Sequence, residues 1–228
     1  IEGLGAPVPW AKGAYFVEGD ARPGLSPLHE GGLFYMQEPS ALTAVTALDP
    51  QPGERVLDLC AAPGGKSTQI AALMAGQGLL VCNEPVPNRA QILSRNVERM
   101  GVRNAVVVSA LPDALAPRFP AFFDRILVDA PCSGEGMFRR QPEARGEWDA
   151  DSPHRCADRQ MEILEQAAKM LRPGGTMVYS TCTFNDIENE GVLKRFLALH
   201  PEFTLQPFAL PGLPEAKDGY LHLYPHEM

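Results

Sequence analysis

The sequence predicts a doubly wound α/β fold, in which helices cover both faces of a mostly parallel sheet. Two observations support this fold class. Short β-branched runs alternate with stretches of helical period, and the loops with the most unusual sequences each follow one of those runs. Alternating strands and helices form a parallel sheet that binds its ligands beyond the carboxyl ends of the strands. The 228 residues, 45% of them hydrophobic and 21% charged, suffice for one buried core.

The predicted elements form a regular series after an irregular start. Residues 1–37 are rich in glycine and proline, so we expect an irregular segment there, followed by one domain over residues 38–228. A first helix is predicted over residues 39–49. Strands are predicted over residues 55–59, 78–83, 105–109, 123–128 and 176–180, and helices over 67–75, 88–100, 158–171 and 187–199. Residues 203–206 and 221–224 are expected to form a closing pair of strands.

The charge distribution is uneven along the chain. A net charge of −8 argues against a nucleic-acid partner, because phosphate binding normally requires a basic surface. The central residues 58–182, however, carry 14 acidic and 14 basic side chains, whereas both flanks are acidic. This centre contains a basic group beside a distinctive loop, although such groups are more often a solvated surface. The group comprises Arg139, Arg140, Arg145, His154, Arg155 and Arg159.

The lengths of the apolar runs and the spacing of the cysteines exclude several other classes of protein. No apolar run is long enough to span a membrane, and the sequence, which starts at Ile1, shows no basic-then-apolar leader. Because the chain starts without Met, we expect further sequence upstream. Five cysteines without CxxC spacing indicate neither a disulfide framework nor a metal site, so we expect a reducing cytoplasm and no metal.

The loop VLDLCAAPGGKS, at residues 56–67, has the features of a nucleoside site. It joins an apolar strand to a helix through Pro63, Gly64 and Gly65, where the backbone can approach a ligand closely. Free amides at the start of that helix favour an electronegative group. Glu84 ends the next strand, 20 residues after Gly64, where a carboxylate would accept hydrogen bonds from ribose hydroxyls.

Spacing excludes two phosphate-binding motifs at this loop. A P-loop needs glycine five positions before the glycine of GKS, and that position is Cys60. The dinucleotide motif GxGxxG is also absent from the loop. An adenosyl cofactor without phosphates therefore fits best, and a tight turn without a ligand is the remaining alternative.

Two further loops place reactive side chains at the same edge of the sheet. LVDAPCSGEGMF, at residues 127–138, follows the fourth predicted strand, and VYSTCTF, at residues 178–184, includes the end of the fifth. Asp129, Cys132 and Cys182 should therefore converge near the cofactor loop. Both thiols follow strands among small polar residues, where a thiolate can be exposed and activated. Cys60 and Cys82 are expected to be buried structural residues, and the environment of Cys156 leaves its role open.

These motifs resemble those of a known family. DLCAAPGGKS, ILVDAPCSGEGMFRR and YSTCTFNDIENE are similar to the cofactor, proline-cysteine and threonine-cysteine motifs of the RNA cytosine-5 methyltransferases. The similarity is greatest to bacterial 16S ribosomal RNA enzymes of the RsmF type. LHEGGLFYMQEPSAL resembles the segment before the cofactor loop in that family, so the resemblance covers most of residues 25–201.

The resemblance implies a Rossmann-like methyltransferase domain, truncated at its C-terminus, that binds S-adenosyl-L-methionine and methylates carbon 5 of cytosine in RNA. Residues 1–37 would then be a remnant of a substrate-binding part. The implied partner is ribosomal RNA or the small ribosomal subunit, and we expect a monomer. The implied cofactor residues are Cys60, Ala61, Ala62, Pro63, Gly64, Gly65, Lys66, Glu84 and Asp129.

The resemblance also assigns roles to the two cysteines. Cys182 matches the residue that attacks carbon 6 of the base, and Cys132 matches the residue that assists product release. A carboxylic acid near ring nitrogen 3 would neutralise the charge that develops during attack, and Asp129 is the candidate. Many relatives carry an acid near the adenine after the third strand, whereas Ser109 and Ala110 occupy that position here and Asp113 lies further on.

Two alternatives remain open at this point. DNA cytosine-5 methyltransferases use the proline-cysteine residue as the nucleophile, and the residues alone allow either thiol to act. The chain could also be a cofactor-binding scaffold without chemistry that acts in ribosome assembly.

Overall fold

A computed structural model describes residues 1, 3–138, 142–146 and 148–224, apart from the side chains of residues 143 and 144. The strands are β1 (Leu4–Pro7), β2 (Tyr15–Val17), β3 (Arg55–Asp58), β4 (Leu79–Asn83), β5 (Ala105–Val108), β6 (Phe123–Asp129) and β7 (Leu171–Ser180). The α-helices are α1 (Pro27–Glu30), α2 (Leu42–Leu48), α3 (Gly65–Met74), α4 (Pro87–Arg99), α5 (Pro112–Leu115), α6 (Ser152–Met170) and α7 (Glu190–Leu199).

The five central strands form one parallel sheet in the order β5-β4-β3-β6-β7, which confirms the predicted fold class. Alternate residues of each strand face opposite sides of the sheet. Val56 and Leu127 pack with α2, α3 and α4 on one side. Leu57 and Ile126 pack with α5, α6 and α7 on the other. Because all five strands are parallel, their carboxyl ends lie at the same edge of the sheet.

Three helix boundaries and one strand boundary differ from the prediction by three or more residues. The first predicted helix, over residues 39–49, is an α-helix only from Leu42, because Pro39–Ala41 form a 3-10 turn. α6 starts at Ser152 rather than at residue 158, because Pro153 lies in its first turn, where its missing N–H costs no hydrogen bond. α7 starts at Glu190 rather than at residue 187, because the preceding side chains form hydrogen bonds outside the helix. β7 begins at Leu171 rather than at residue 176, and its proline is compatible with an edge strand.

The first 37 residues are less irregular than predicted, since β1 and β2 pair as an antiparallel sheet and α1 follows them. The connection between these strands packs against residues near the C-terminus, with Val8, Trp10 and Leu210 buried in one cluster. The predicted closing pair is wrong, because neither residues 203–206 nor residues 221–224 contain a strand. Instead a single bridge joins Phe208 to Ala216.

None of the helices in the described residues combines the length and apolar character that crossing a membrane requires.

Candidate active site

The cofactor loop lies between β3 and α3, beside the end of β4. Its backbone is fixed at Ala61, whose N–H donates to Asn83 O (2.8 Å). Asn96 Nδ2 donates to Pro63 O (2.8 Å), so α4 also holds the loop. Gly64 has a φ of 116°, a conformation that other residues rarely adopt. The sequence prediction of a strand, a glycine turn and a helix over these residues is confirmed.

The first turn of α3 presents backbone amides to this edge of the sheet. The first helical hydrogen bond comes from Thr68 N to Gly64 O (2.9 Å). In the described part of the chain, the N–H groups of Gly65, Lys66 and Ser67 have no acceptor. They are therefore available to an electronegative ligand group at the helix terminus.

Glu84 follows β4 and is 2% exposed. One carboxylate oxygen accepts from Val86 N (3.0 Å), and the other lies 3.3 Å from Arg89 Nη1. Arg89 Nη2 also donates to Ala62 O (3.2 Å), so this side chain connects the carboxylate to the cofactor loop. A carboxylate has about four acceptor positions, so Glu84 retains capacity for hydroxyl donors.

Asp58, at the end of β3, is a buried acid that the sequence argument did not select. It is fully buried, and its Oδ2 accepts from Ser67 Oγ (2.6 Å). Its Oδ1 is buried without a hydrogen-bond partner among the described residues. Burial raises the pKa of Asp58 to about 7, although the hydrogen bond from Ser67 opposes the rise. The sequence signal that could have identified Asp58 is an acidic residue that follows two apolar strand residues directly before the loop.

Asp129 ends β6 and pairs with the cofactor loop. Lys66 Nζ lies 2.8 Å from Asp129 Oδ2, and Ser180 Oγ donates to Oδ1 (2.7 Å). Asp129 therefore joins the helix that begins at the cofactor loop to the end of β7. The predicted convergence of this acid with the loop is thus present in the structure.

The two cysteines that follow β6 and β7 are in direct contact. Cys132 Sγ lies 3.2 Å from Cys182 Sγ, and Cys182 is exposed whereas Cys132 is half-buried. A hydrogen bond from the Cys132 thiol holds the pKa of Cys182 below that of an ordinary thiol, although partial desolvation of the Cys182 sulfur by the surrounding protein opposes this. The same contact, together with burial, raises the pKa of Cys132. Either sulfur can donate across this contact, and the greater exposure of Cys182 together with its lowered pKa favours Cys182 as the thiolate.

Among the other predicted side chains that the structure describes, those of Arg155, Ser109 and Asp113 are not part of this cluster. Arg139 and Arg140 lie outside the described residues. Arg155 pairs with Asp149 on the surface (3.0 Å). Ser109 and Asp113 are exposed near the end of β5.

The three remaining cysteines have raised thiol pKa values. Burial raises the pKa of Cys82 to about 12, and it also raises the pKa values of Cys60 and, less strongly, Cys156. Cys82 is fully buried, as expected for a structural residue, and Cys60 and Cys156 are half-buried. The described residues contain no group of three potential metal ligands.

Comparison with known proteins relates the chain to RNA-modifying enzymes. A family model described as 16S rRNA methyltransferase RsmB/F matches residues 45–228. Over 229 residues, the chain is 41% identical to the ribosomal RNA small subunit methyltransferase F of Serratia proteamaculans (strain 568). That alignment covers 96% of this chain and 48% of the relative. The chain therefore spans about half the length of the curated relatives it matches.

Two solved structures from Pyrococcus horikoshii share the fold. A methyltransferase homolog protein is 33% identical with a TM-score of 0.75, and the match covers 95% of this chain and 69% of that one. NSun6, solved with SFG, is 30% identical with a TM-score of 0.79, and the match covers 90% of this chain and 52% of that one.

Proposed function

The chain belongs to the 16S rRNA methyltransferase RsmB/F family, and from that premise we propose that it transfers a methyl group to carbon 5 of a cytosine in RNA. We propose 16S ribosomal RNA as the substrate and S-adenosyl-L-methionine as the cofactor. The observation that carries this proposal is the 3.2 Å contact between Cys132 and Cys182 beside the Asp129–Lys66 pair. Two thiols and a carboxylate at one edge supply the groups that addition, proton transfer and elimination require.

The residues around the loop fit an adenosyl cofactor. S-adenosylmethionine supplies a methyl group bound to a positively charged sulfur, and SFG, found in NSun6, is an analogue of it. The buried carboxylate of Glu84 would accept from the ribose hydroxyls, and the free amides of α3 would bind the carboxylate end. Residues 60–66 shape the loop between these two positions.

Cys182 is the proposed nucleophile, because it is the more exposed thiol and its pKa is lowered. Its thiolate forms a bond to carbon 6 of the cytosine, which moves electron density toward carbon 5 and ring nitrogen 3. The Asp129–Lys66 pair lies beside the loop, where it would neutralise the charge that develops at nitrogen 3. The target base must leave its stack to reach this position.

Cys132 would assist the release of the product. After methyl transfer, the proton on carbon 5 leaves to a water molecule, and the bond between Cys182 Sγ and carbon 6 breaks. Because its pKa is raised, Cys132 remains a thiol and donates a hydrogen bond to the departing Cys182 thiolate. The raised pKa of Cys132 therefore suits a hydrogen-bond donor, and the lowered pKa of Cys182 suits a nucleophile.

Covalent trapping with RNA that contains 5-fluorocytosine tests the assignment in the full-length protein. We expect an adduct with the wild-type protein and with Cys132→Ala, and none with Cys182→Ala or the double variant. Loss of the adduct in Cys132→Ala, with retention in Cys182→Ala, would instead support the DNA-type mechanism. Cofactor binding without methyl transfer to ribosomal RNA or assembled subunits would support a scaffold.

We also propose that the protein acts as a monomer on ribosomal RNA or the small subunit, in the reducing cytoplasm. Two free thiols 3.2 Å apart remain reduced only in a reducing compartment. Sedimentation velocity on the full-length protein, with and without RNA, tests the oligomeric state.

A further inference from the structure

The carboxylate of Glu188 lies between the two loops that carry the paired cysteines. It is fully buried, and four donor groups meet its two oxygens. Oε2 accepts from Ser133 N (3.0 Å) and Gln160 Nε2 (2.8 Å). Oε1 accepts from Asn185 Nδ2 (2.9 Å) and from the hydroxyl of Ser133. No Lys or Arg among the described residues pairs with Glu188.

These contacts fix the backbone on both sides of Cys132. Gln160 Nε2 also donates to Pro131 O (2.9 Å), directly before the cysteine, and Ser133 N donates to Glu188 directly after it. The orientation of the Gln160 amide is set by Tyr179 Oη, which lies 2.9 Å from Gln160 Oε1. The position of the Cys132 thiol therefore depends on a buried carboxylate that is remote in the sequence.

The same group of side chains reaches the loop of Cys182. Asn185 Nδ2, which donates to Glu188, also donates to Thr183 Oγ1 (2.8 Å), and Thr183 Oγ1 donates to Glu135 Oε2 (2.9 Å). Gly136 N donates to Cys182 O (2.8 Å), so the loop that carries Cys132 also holds the backbone of Cys182. Both sulfurs are thus placed by one connected set of hydrogen bonds.

We propose that Glu188 is a positioning residue that holds the Cys132 thiol against the Cys182 sulfur. The consequence for catalysis rests on the proposed function, whereas the arrangement of the two thiols can be measured without it. In Glu188→Gln, an amide replaces the buried carboxylate and can no longer accept hydrogen bonds from all four donors. The amide presents N–H groups to some of these donors instead. The loop that carries Cys132 would then move away from Cys182.

The pH dependence of Cys182 alkylation tests this proposal without cofactor or RNA. The experiment reacts the full-length protein with iodoacetamide across pH and follows the peptide that contains Cys182 by mass spectrometry. The charged or titratable groups that act on this thiol are Cys132, Asp129 and Lys66. Because the hydrogen bond from Cys132 lowers the pKa of Cys182, its loss in Glu188→Gln should move the midpoint of the profile to higher pH.

The same substitution in the Cys132→Ala protein separates positioning of the Cys132 thiol from a direct effect of the lost Glu188 charge. In Cys132→Ala, which lacks the donor, Glu188→Gln should leave the midpoint of the Cys182 profile unchanged. An unchanged midpoint in the wild-type background, or an equal shift in both backgrounds, would overturn the proposal. Glu162→Gln makes the same charge change at an exposed position of α6 and should leave the profile as in the wild type.

A milder variant covers the case in which Glu188→Gln does not fold. Ser133→Ala removes one hydroxyl donor from the set and should shift the midpoint in the same direction by a smaller amount. A Ser133→Ala profile that matches the wild type would then count against the proposal. Because alkylation is independent of methyl transfer, an inactive protein with the expected shift would overturn only the proposed function.

Discussion

Replacing Asp58 with asparagine should stabilise the folded chain at alkaline pH. This stabilisation relative to the wild type should disappear at acidic pH. Asp58 is fully buried, and burial raises its pKa from 3.8 to about 7. A folded-state pKa above the unfolded value means that the folded protein binds the proton more tightly. The protonated Asp58 carboxyl therefore makes its full contribution to stability below about pH 4. This contribution is lost as the pH rises toward 7.

The size of the effect follows from the same rise in pKa. A change from 3.8 to about 7 corresponds to about 4 kcal/mol of destabilisation once the carboxyl is ionised in the folded protein. Asparagine keeps an acceptor for the Ser67 hydroxyl, but its amide N–H groups would be unsatisfied at a cost of about 1–3 kcal/mol. The net gain at pH 8 should therefore be about 1–3 kcal/mol.

Urea unfolding of the chain at pH values between 5 and 8.5 measures this difference. The free energy of unfolding of Asp58→Asn, relative to the wild type, should grow with pH and level off above the folded-state pKa. Asp113→Asn changes an exposed carboxyl and should show no comparable trend. A difference between Asp58→Asn and the wild type that stays constant over this range would refute the claim that the ionised carboxylate is unfavourable.

Three further predictions concern the loop and the thiols. Diamide should form a disulfide between Cys132 and Cys182 within one chain, because the two sulfurs lie 3.2 Å apart. Mass spectrometry under non-reducing conditions should detect the joined peptide, and Cys132→Ser should give none. Arg89→Ala should weaken S-adenosylmethionine binding about fivefold, because two hydrogen-bonding contacts near the ribose position are lost. Calorimetry measures this change, and an unchanged affinity would contradict the prediction. Gly64→Ala should weaken cofactor binding and lower the melting temperature, since the φ of 116° at Gly64 is one that residues with a side chain rarely adopt. Wild-type values for both would contradict this.

The central sheet and the meeting of its loops could be predicted because they depend on local patterns. Strand runs such as residues 55–59 are buried on both faces, so their apolar sequence identifies them without alternation. A parallel sheet then places Asp129, Cys132 and Cys182 at one edge whatever the details of packing. The convergence of these side chains follows from that topology, whereas the 3.2 Å contact between the two sulfurs does not.

Other features depend on contacts between segments that are distant in sequence. β1 and β2 are three or four residues long, and most of their residues are exposed, so they lack the periodicity that identifies a strand. Glu188 looks like a surface acid in the sequence, and only the meeting of α6 with two loops buries it. The raised pKa of Asp58 similarly reflects packing around the end of β3, which composition does not reveal.

The cluster formed by Val8, Trp10 and Leu210 has a consequence for the order of folding. About 200 residues separate its two parts, so their association closes a long loop and carries a large entropic cost. The intervening sheet reduces that cost once it has formed, because it brings the two segments together. We expect hydrogen exchange to show the segment of Trp10 opening before the central strands, as a separate unit of low stability. Docking of the Trp10 segment onto Leu210 would then be among the last events of folding and among the first of unfolding.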